Sequence, residues 1–312
     1  MPVTVFFAAS PAYWSDYREP LADAFREAGL DVALSNEAPD PLAVDYIVYA
    51  PGGIVTDFSP YRNAKAVLNL WAGVERLVTN QTLTQPLCRM VDHGLTEGMV
   101  EYVVGHVMRH HLGLDAHIRG LDREWRQDLL PPLARERTVA MLGMGELGTA
   151  CARALSELNF RVVGWSRTQK SVPGITCLSG DDGLMHALSQ ADIAVLLMPL
   201  TAETTNVIDA RRLAAMKRGA VIINPGRGAL IDDDALLAAL DSGQVGHATL
   251  DVFRVEPLPK DHPYWAHPHV TVTPHIAADT RVPTASKVIA ENVRRGEAGE
   301  PFLYLVDRKR GY

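Results

Sequence analysis

The 312-residue sequence contains only three cysteines, Cys88, Cys151 and Cys177, which lie far apart and form no CxxC motif. An odd number of isolated cysteines is typical of free thiols in a reducing compartment, and it argues against a disulfide framework or a structural zinc site. We therefore expect a cytoplasmic protein. Residues 1–10 include no basic residue, which argues against a secretory signal and favours a first β-strand.

Long apolar runs and basic tracts are also missing. The longest apolar runs, such as residues 193–198, are far shorter than the roughly 20 residues that a membrane span needs. Thirty Lys and Arg residues against 37 Asp and Glu residues give a formal net charge of −7. This balance argues against a surface for nucleic acid or for an anionic membrane, although a small anion pocket remains compatible with it.

The hydrophobic content of 47% is that of a globular protein, and the length suffices for two domains. Residues 1 to about 100 form a small α/β pattern, and a helical pattern follows over residues 97–118. From residue 138, helical patterns alternate with apolar runs that we predict to be strands, at residues 139–142, 161–165, 193–197, 220–223, 248–252 and 270–273. Near-continuous apolar strands separated by helices predict a parallel sheet covered on both faces.

A glycine-rich turn follows the first of these strands and opens a predicted helix. It has the GxGxxG pattern and consists of Gly143, Met144, Gly145, Glu146, Leu147 and Gly148. In this context the first glycine makes the tight turn, the second admits a pyrophosphate, and the third lets helix and strand pack closely. Free N–H groups at the helix N-terminus then bind the anion. The motif therefore predicts a dinucleotide site.

The next strand lacks the acidic residue with which NAD sites bind the ribose 2′-hydroxyl, roughly 20 residues after the glycines. It ends instead in Trp165, Ser166 and Arg167, with Lys170 close by. A hydroxyl and two cations suit a 2′-phosphate, and the arginine fork suits bidentate contact with it. We therefore predict NADP(H) as the preferred cofactor over NAD(H).

Three polar residues follow later strands of the same domain. Arg227 follows the strand at 220–223, Glu256 follows the strand at 248–252, and His275 follows the strand at 270–273. In open parallel sheets, ligands bind beyond the carboxyl ends of the strands. These residue types suit a hydride-transfer site. The arginine would bind a carboxylate, the histidine would transfer a proton, and the glutamate would orient the histidine.

Several segments together carry a specific family resemblance. They are residues 72–74, 143–148, 199–204, 224–228, 251–257 and 274–275. Over nearly its whole length the chain resembles the D-isomer-specific 2-hydroxyacid dehydrogenases. Residues 165–168, 256–259, 264–265 and 306–312 are similar to the branch that reduces glyoxylate and hydroxypyruvate.

The resemblance implies an α/β fold of two Rossmann-like domains with doubly wound parallel sheets and an active-site cleft between them. Residues 1–100 plus 284–312 would form a discontinuous substrate-binding (catalytic) domain, and residues 101–283 the NADP(H)-binding domain. The family usually dimerises through its cofactor domain, so a homodimer is expected. The implied reaction is the NADPH-dependent reduction of small 2-oxo acids, glyoxylate to glycolate and hydroxypyruvate to D-glycerate.

The same resemblance assigns roles to individual residues. Arg227, Glu256 and His275 would be the catalytic triad, with His275 as general acid, and Asp251 would bind the nicotinamide carboxamide. Further cofactor contacts would come from Pro199, Leu200 and Thr204. The backbone of Ala72, Gly73 and Val74 would hold the substrate carboxylate together with Arg227, and the neighbouring Trp71 would either wall the substrate pocket or pack in the core.

Two other functions are compatible with the same residues. One is the same chemistry on another 2-oxo acid, such as pyruvate or phenylpyruvate. The other is a non-catalytic nucleotide-sensing protein that keeps the dehydrogenase fold. His106 and His110 have the spacing of helical metal ligands but lack an HExxH motif, so we predict a histidine cluster without a metal.

Overall fold

The computed structural model describes residues 2–118, 120, 125, 127–128 and 130–311. The strands of the described residues are β1 (Val3–Phe7), β2 (Val32–Ser35), β3 (Tyr46–Tyr49), β4 (Ala66–Asn69), β5 (Leu87–Cys88), β6 (Thr138–Leu142), β7 (Arg161–Ser166), β8 (Thr176–Ser179), β9 (Ile193–Leu196), β10 (Ala220–Asn224), β11 (Val245–Leu250) and β12 (Val270–Val272). The helices are α1 (Trp14–Glu27), α2 (Glu75–Val78), α3 (His93–His111), α4 (Leu114–Ile118), α5 (Glu146–Glu157), α6 (Gly180–Gln190), α7 (Ala210–Ala215), α8 (Asp233–Asp241) and α9 (Val282–Ala298). Among these helices, none combines the length and apolar character needed to cross a membrane.

The chain divides into two compact units. The first comprises Met1–Leu95 and Asp279–Tyr312, and the second comprises Thr96–Ala278. The assignment of one domain to the substrate and the other to the cofactor stays a prediction at this point.

The first unit is built on a sheet of five parallel strands in the order β2-β1-β3-β4-β5. Successive side chains of β1 enter different cores, because side chains alternate between the two faces of a strand. Val5 and Phe7 pack with residues of α1 and α9, whereas Phe6 packs in a second cluster with Phe58 and Leu77. Both faces of this sheet are therefore covered.

The second unit is built on a sheet of seven parallel strands in the order β12-β11-β10-β9-β6-β7-β8. Ala140 and Leu142 of β6 pack in the core cluster of α6, α7 and α8. Val139 and Met141 pack in the cluster of α3 and α5. Helices thus cover both faces of a parallel sheet, and the predicted fold class of two α/β units with parallel sheets is confirmed.

The strand order of the second unit reverses between β6 and β9. From β6 the chain builds outward through β7 and β8, then returns to add β9, β10, β11 and β12 on the other side. At such a switch point the loops that follow the two central strands diverge and leave room for a ligand. The glycine turn after β6 and the loop after β9 both begin here.

Some predicted elements differ from those observed. The helical pattern over residues 97–118 is two helices, α3 and α4, because Gly113 between them has a φ of +63°, which ends helical geometry. The strands β2, β4, β5 and β8 were not predicted from the sequence. They have two to four residues each, which is too short for a periodic pattern to be distinct.

The histidines of α3 lie against β11. His110 Nε2 lies 2.9 Å from the Thr249 hydroxyl, and the His110 ring centroid lies 4.9 Å from that of His247. Burial, helped by the neighbouring His247 and Arg109, lowers the pKa of His110 to about 3. Burial also lowers the pKa of His106. Among the described residues, no group of three or more His, Cys, Asp or Glu is arranged to hold a metal ion.

We expect the buried His110 to make stability depend on pH. An unfolded histidine takes up a proton below about pH 6.5, whereas His110 in the folded protein does so only near pH 3. Between these values the free energy of unfolding should therefore decrease by about 1.4 kcal/mol for each pH unit by which the pH is lowered. His110→Gln should flatten this dependence in denaturant titrations at pH 7.5 and 5. The exposed His186 provides the control, since His186→Gln should keep the wild-type dependence. If the free energy of unfolding changed by the same amount between pH 7.5 and 5 in wild type and His110→Gln, the expectation would be contradicted.

Candidate active site

The glycine turn after β6 requires glycine at two positions. Gly143 has a φ of +117°, and a Cβ there would lie 2.5 Å from the backbone of Leu197 and Met198. A Cβ at Gly148 would lie 1.7 Å from the carbonyl oxygen of Gly143. The turn is therefore packed backbone against backbone, and this close approach allows α5 to begin directly above the sheet.

The middle of the turn faces open space. Gly145 and Glu146 are exposed, and a Cβ added at Gly145 would meet no atom within 4 Å. Met144 is buried, and its sulfur would lie 2.6 Å from a Cβ at Gly164 of β7. The space beside Gly145 at the N-terminus of α5 is therefore open among the described residues. A dinucleotide pyrophosphate fits this arrangement, because helix N-termini offer unpaired N–H groups to anions.

The residues at the end of β7 divide into buried and exposed ones. Trp165 is buried in the core, and its indole N–H donates to the carbonyl oxygen of Gly180 at 2.8 Å. Arg167 is exposed and forms an ion pair of 3.6 Å with Glu203, and Lys170 is exposed as well. The cations predicted to bind a 2′-phosphate therefore lie in solvent at the carboxyl end of the strand.

The loop after β9 is held by a threonine. The Thr204 hydroxyl donates to the carbonyl oxygen of Pro199 and accepts from the N–H of Thr201, both at 2.7 Å. Leu200 is partly buried against the core under this loop. Pro199, Leu200 and Thr204 thus form one compact turn near the glycine turn, since Leu197 N–H donates to Leu142 at 2.7 Å.

Arg227 follows β10 in a turn that is organised by Asn224. The buried Asn224 side chain donates to the carbonyl oxygen of Arg227 at 2.9 Å and accepts from the N–H of Gly226 at 3.1 Å. Gly228 allows this turn to pack on the next loop, because a Cβ there would lie 2.1 Å from the carbonyl carbon of Phe253. The guanidinium of Arg227 donates to the carbonyl oxygen of Gly226 at 2.7 Å.

Glu256 and His275 lie side by side. His275 Nδ1 is 2.8 Å from Glu256 Oε2, and Glu256 Oε1 accepts from the N–H of Phe253 at 2.9 Å. A carboxylate only accepts hydrogen bonds, so Nδ1 carries the proton and Nε2 is left for a reacting group. The His275 side chain is 50% exposed and that of Glu256 is 36% exposed. The pair is therefore accessible to a small substrate.

The loop that carries Glu256 is anchored by Arg254. Its Nε donates to Asp233 at 3.0 Å, and its terminal nitrogen donates to Asn206 and to the carbonyl oxygen of Ile231. The Tyr264 hydroxyl donates to the other oxygen of Asp233 at 2.9 Å. Both ends of the loop are thus attached to the start of α8.

His275 has a backbone conformation that is rare for a residue with a side chain. Its φ is +55°, and its N–H donates to the carbonyl oxygens of Asp251 at 2.8 Å and Thr273 at 3.0 Å. Strained residues of this kind persist only where their surroundings hold them, and they are concentrated at functional sites. The Asp251 carboxylate contributes to that hold, since it accepts from the N–H groups of Ile276 and Ala277 at 2.9 Å each.

In the first unit, Asn69 shapes the segment at residues 71–74. Its side-chain amide donates to the carbonyl oxygens of Trp71 at 2.7 Å and Gly73 at 3.0 Å, and its own oxygen is buried with no hydrogen-bond partner among the described residues. Ala72 and Gly73 are half-buried and Val74 is buried, whereas Trp71 is 39% exposed. The approach of this segment to a substrate stays a prediction.

The structure thus brings the predicted residues together within each unit. Arg227, Asp251, Glu256 and His275 all follow the carboxyl ends of three adjacent strands, β10, β11 and β12. The turn-forming roles of Asn69 and Asn224 were not predicted from the sequence. Each is the last residue of a buried strand, and a polar residue at that position is a signal that was present in the sequence.

Comparisons with known proteins agree with this geometry. The family model described as "D-isomer specific 2-hydroxyacid dehydrogenase, NAD binding domain" matches residues 103–277. The chain belongs to this family. It is therefore an oxidoreductase of the 2-hydroxyacid dehydrogenase type with a nicotinamide dinucleotide as cofactor.

Three solved structures are similar to the dehydrogenase over its whole length. A family member from Xanthobacter autotrophicus Py2 in complex with NADPH and MES is 38% identical, with 100% of both chains covered and a TM-score of 0.92. The NADPH-dependent glyoxylate/hydroxypyruvate reductase from Sinorhizobium meliloti, in complex with NADP and sulfate, is 33% identical over 99% of this chain and 100% of that one, with a TM-score of 0.87. A probable 2-hydroxyacid dehydrogenase from Rhizobium etli CFN 42, with NADP, HEPES and L(+)-tartaric acid, is 30% identical over 100% and 99%, with a TM-score of 0.86.

The open space at Gly145 leads to a prediction. Gly145→Ala should fold with wild-type stability, because the added Cβ meets no protein atom and φ is an ordinary −80°. It should weaken dinucleotide binding by roughly tenfold or more, equivalent to about 1.4 kcal/mol, because the methyl group would occupy the space that the sequence assigns to the pyrophosphate. Isothermal titration with NADPH measures the effect. Gly105→Ala, at an equally open position of α3, is the control and should bind normally.

Proposed function

We propose that the protein catalyses the NADPH-dependent reduction of small 2-oxo acids, glyoxylate to glycolate and hydroxypyruvate to D-glycerate. The observation that carries the proposal is the 2.8 Å contact of His275 with Glu256. The pair lies beyond the carboxyl ends of β11 and β12, and Arg227 follows β10, the next strand of the sheet. The similarity to the Sinorhizobium meliloti reductase, which covers 99% of the chain, supports the choice of substrates.

Each catalytic side chain has a role that follows from its chemistry. A nicotinamide dinucleotide, when bound, would supply the hydride for the carbonyl carbon. The Arg227 guanidinium binds the substrate carboxylate and polarises the carbonyl oxygen. His275 donates the Nε2 proton to that oxygen, and the Glu256 carboxylate orients the ring and stabilises its positive charge. The backbone at residues 72–74 and the Trp71 ring complete the proposed substrate-binding set.

NADP(H) is the proposed cofactor because of the residues after β7. Ser166, Arg167 and Lys170 would bind the 2′-phosphate, with Trp165 supporting them from the core. Residues 143–148 would hold the pyrophosphate through their backbone, and Pro199, Leu200, Thr204 and Asp251 would contact the nicotinamide end. The three similar structures named above contain NADPH or NADP, which supports this choice.

We further propose a cytoplasmic homodimer that is formed through the second unit. The exposed fractions of Ile118, Leu130 and Leu133 are 76%, 86% and 60%, which is unusual for large apolar side chains and is explained if a second copy covers them. The three cysteines are free thiols, as expected in a reducing compartment.

Initial rates of NADPH and NADH oxidation test the proposed reaction. Glyoxylate, hydroxypyruvate, pyruvate and phenylpyruvate should be offered to the purified protein with each cofactor. Rapid oxidation of NADPH with the first two acids is the expected outcome. Faster turnover of pyruvate or phenylpyruvate would show that another 2-oxo acid is the substrate. Tight NADPH binding without turnover would favour a nucleotide-sensing protein.

His275→Ala should lower turnover by about two to four orders of magnitude, which is the usual size of a general-acid contribution. NADPH binding should change little, because the proton donor acts on the substrate. His186→Ala, which removes an exposed histidine of α6, is the matched control and should keep full activity. An active His275→Ala enzyme would refute the assignment.

Arg167→Asp should reverse the cofactor preference. The carboxylate repels a 2′-phosphate and can accept a hydrogen bond from a 2′-hydroxyl, so kcat/KM for NADPH should fall relative to that for NADH by roughly tenfold or more, equivalent to about 1.4 kcal/mol. The control is Arg153→Asp, the same charge change at an exposed position of α5. An unchanged ratio of NADPH to NADH in Arg167→Asp would remove the basis for the NADP(H) preference.

A further inference from the structure

A chain of hydrogen bonds runs from α3 to the loop that carries His275. The Tyr102 hydroxyl on α3 lies 2.7 Å from the Thr273 hydroxyl, which lies 2.6 Å from Asp251 Oδ1. The same Oδ1 accepts from the N–H of Ile276, and Oδ2 accepts from the N–H of Ala277. Every member belongs to the second unit.

The direction of this chain follows from counting protons. The Asp251 carboxylate can only accept, so the one hydroxyl proton of Thr273 is donated to it. The Thr273 oxygen must then accept from Tyr102, which donates its own proton. Burial raises the pKa of Tyr102 to about 12, so its hydroxyl keeps that proton at neutral pH.

The chain of hydrogen bonds reaches residues on both sides of His275 in the sequence. Thr273 and Ile276 flank the residue in sequence, and both donate to the same oxygen of Asp251. Asp251 is fully buried, so its charge depends on the donors that surround it. Loss of one donor would shift the carboxylate, and with it the segment that holds His275 at a φ of +55°.

We propose that Tyr102, acting through Thr273 and Asp251, is a positioning residue that holds the His275 backbone in its left-handed conformation and so aims the imidazole at the substrate. This inference rests on the proposed function in that it takes His275 as the proton donor. Tyr102 itself touches neither substrate nor cofactor in this role.

Packing is the alternative role of Tyr102. Its ring centroid lies 4.4 Å from that of His106, one helical turn away. A phenylalanine would preserve this ring contact and remove only the hydroxyl, so Tyr102→Phe separates the two roles.

Tyr46 provides a matched control for Tyr102. It is fully buried, and its hydroxyl donates to Glu297 at 2.7 Å in the first unit, so Tyr46→Phe removes a comparable buried hydrogen bond away from His275. We expect Tyr102→Phe to lower the single-turnover rate of NADPH oxidation with glyoxylate about five- to tenfold, the equivalent of one hydrogen bond. The dissociation constant for NADPH should stay within about twofold, because the Asp251 carboxylate keeps its backbone donors at Ile276 and Ala277. Tyr46→Phe should leave the rate unchanged.

Thr273 provides a second and independent variant pair. Thr273→Val breaks the chain at its middle and should slow the single turnover like Tyr102→Phe, whereas Thr273→Ser keeps the hydroxyl and should retain the rate. In a His275→Ala background, Tyr102→Phe should have no further effect, because the residue that it positions is absent. A drop of the same factor in that background would overturn the proposal in favour of a general structural role.

A measurement that is independent of turnover completes the test. The imidazole signals of a 13C-histidine-labelled protein can be assigned to His275 through their loss in His275→Ala. Tyr102→Phe should shift the His275 signal and Tyr46→Phe should not. If the wild-type protein reduces none of the 2-oxo acids but the shift is observed, the proposed function fails and the positioning role stands. If the enzyme is active and Tyr102→Phe changes neither the rate nor the signal, the positioning role is wrong and the function stands.

Discussion

The site depends on how one buried residue, Asp251, is hydrogen-bonded. Its N–H donates to the carbonyl oxygen of Asn224 at 3.1 Å, its carbonyl oxygen accepts from His275, and its carboxylate accepts from the segment that follows. Asn224 in turn holds the turn of Arg227. The loop that begins after Asp251 carries Glu256. The backbone segments that carry all three proposed catalytic side chains are therefore connected to the same residue, which directly follows β11.

This arrangement separates the rigid part of the site from its reactive part. A carboxylate with no exposed surface is stable in the interior only when it is well supplied with donors, so the backbone around Asp251 has little freedom. The proposed catalytic side chains of His275 and Glu256, by contrast, are 50% and 36% exposed. Groups that are fixed in position before the substrate arrives need little reorganisation during the reaction, which is how enzyme sites stabilise developing charge.

Sequence patterns predicted the parts of the structure that have a local cause. The glycine turn could be identified because its close contacts allow no other residue at Gly143 and Gly148. Apart from the edge strand β8, the strands of the large sheet could be identified from their apolar runs. The short strands of the first unit were missed because two to four residues carry no period. The roles of Asn69 and Thr273 depend on partners that the fold brings to them, and no local pattern identifies such partners.

The ion pair between Arg167 and Glu203 has a consequence for how the cofactor is chosen. The two side chains are 43% and 75% exposed and lie 3.6 Å apart, so the pair contributes little to stability and separates readily. Phosphate binding at Arg167 would then be an ion exchange, in which a doubly charged ligand displaces a carboxylate that stays tethered nearby. Because charges in solvent are screened over about 8 Å at physiological salt, the proposed discrimination between phosphorylated and unphosphorylated dinucleotides would depend on ionic strength. The preference for one dinucleotide over the other would then depend on the salt concentration as well as on the residues of the protein.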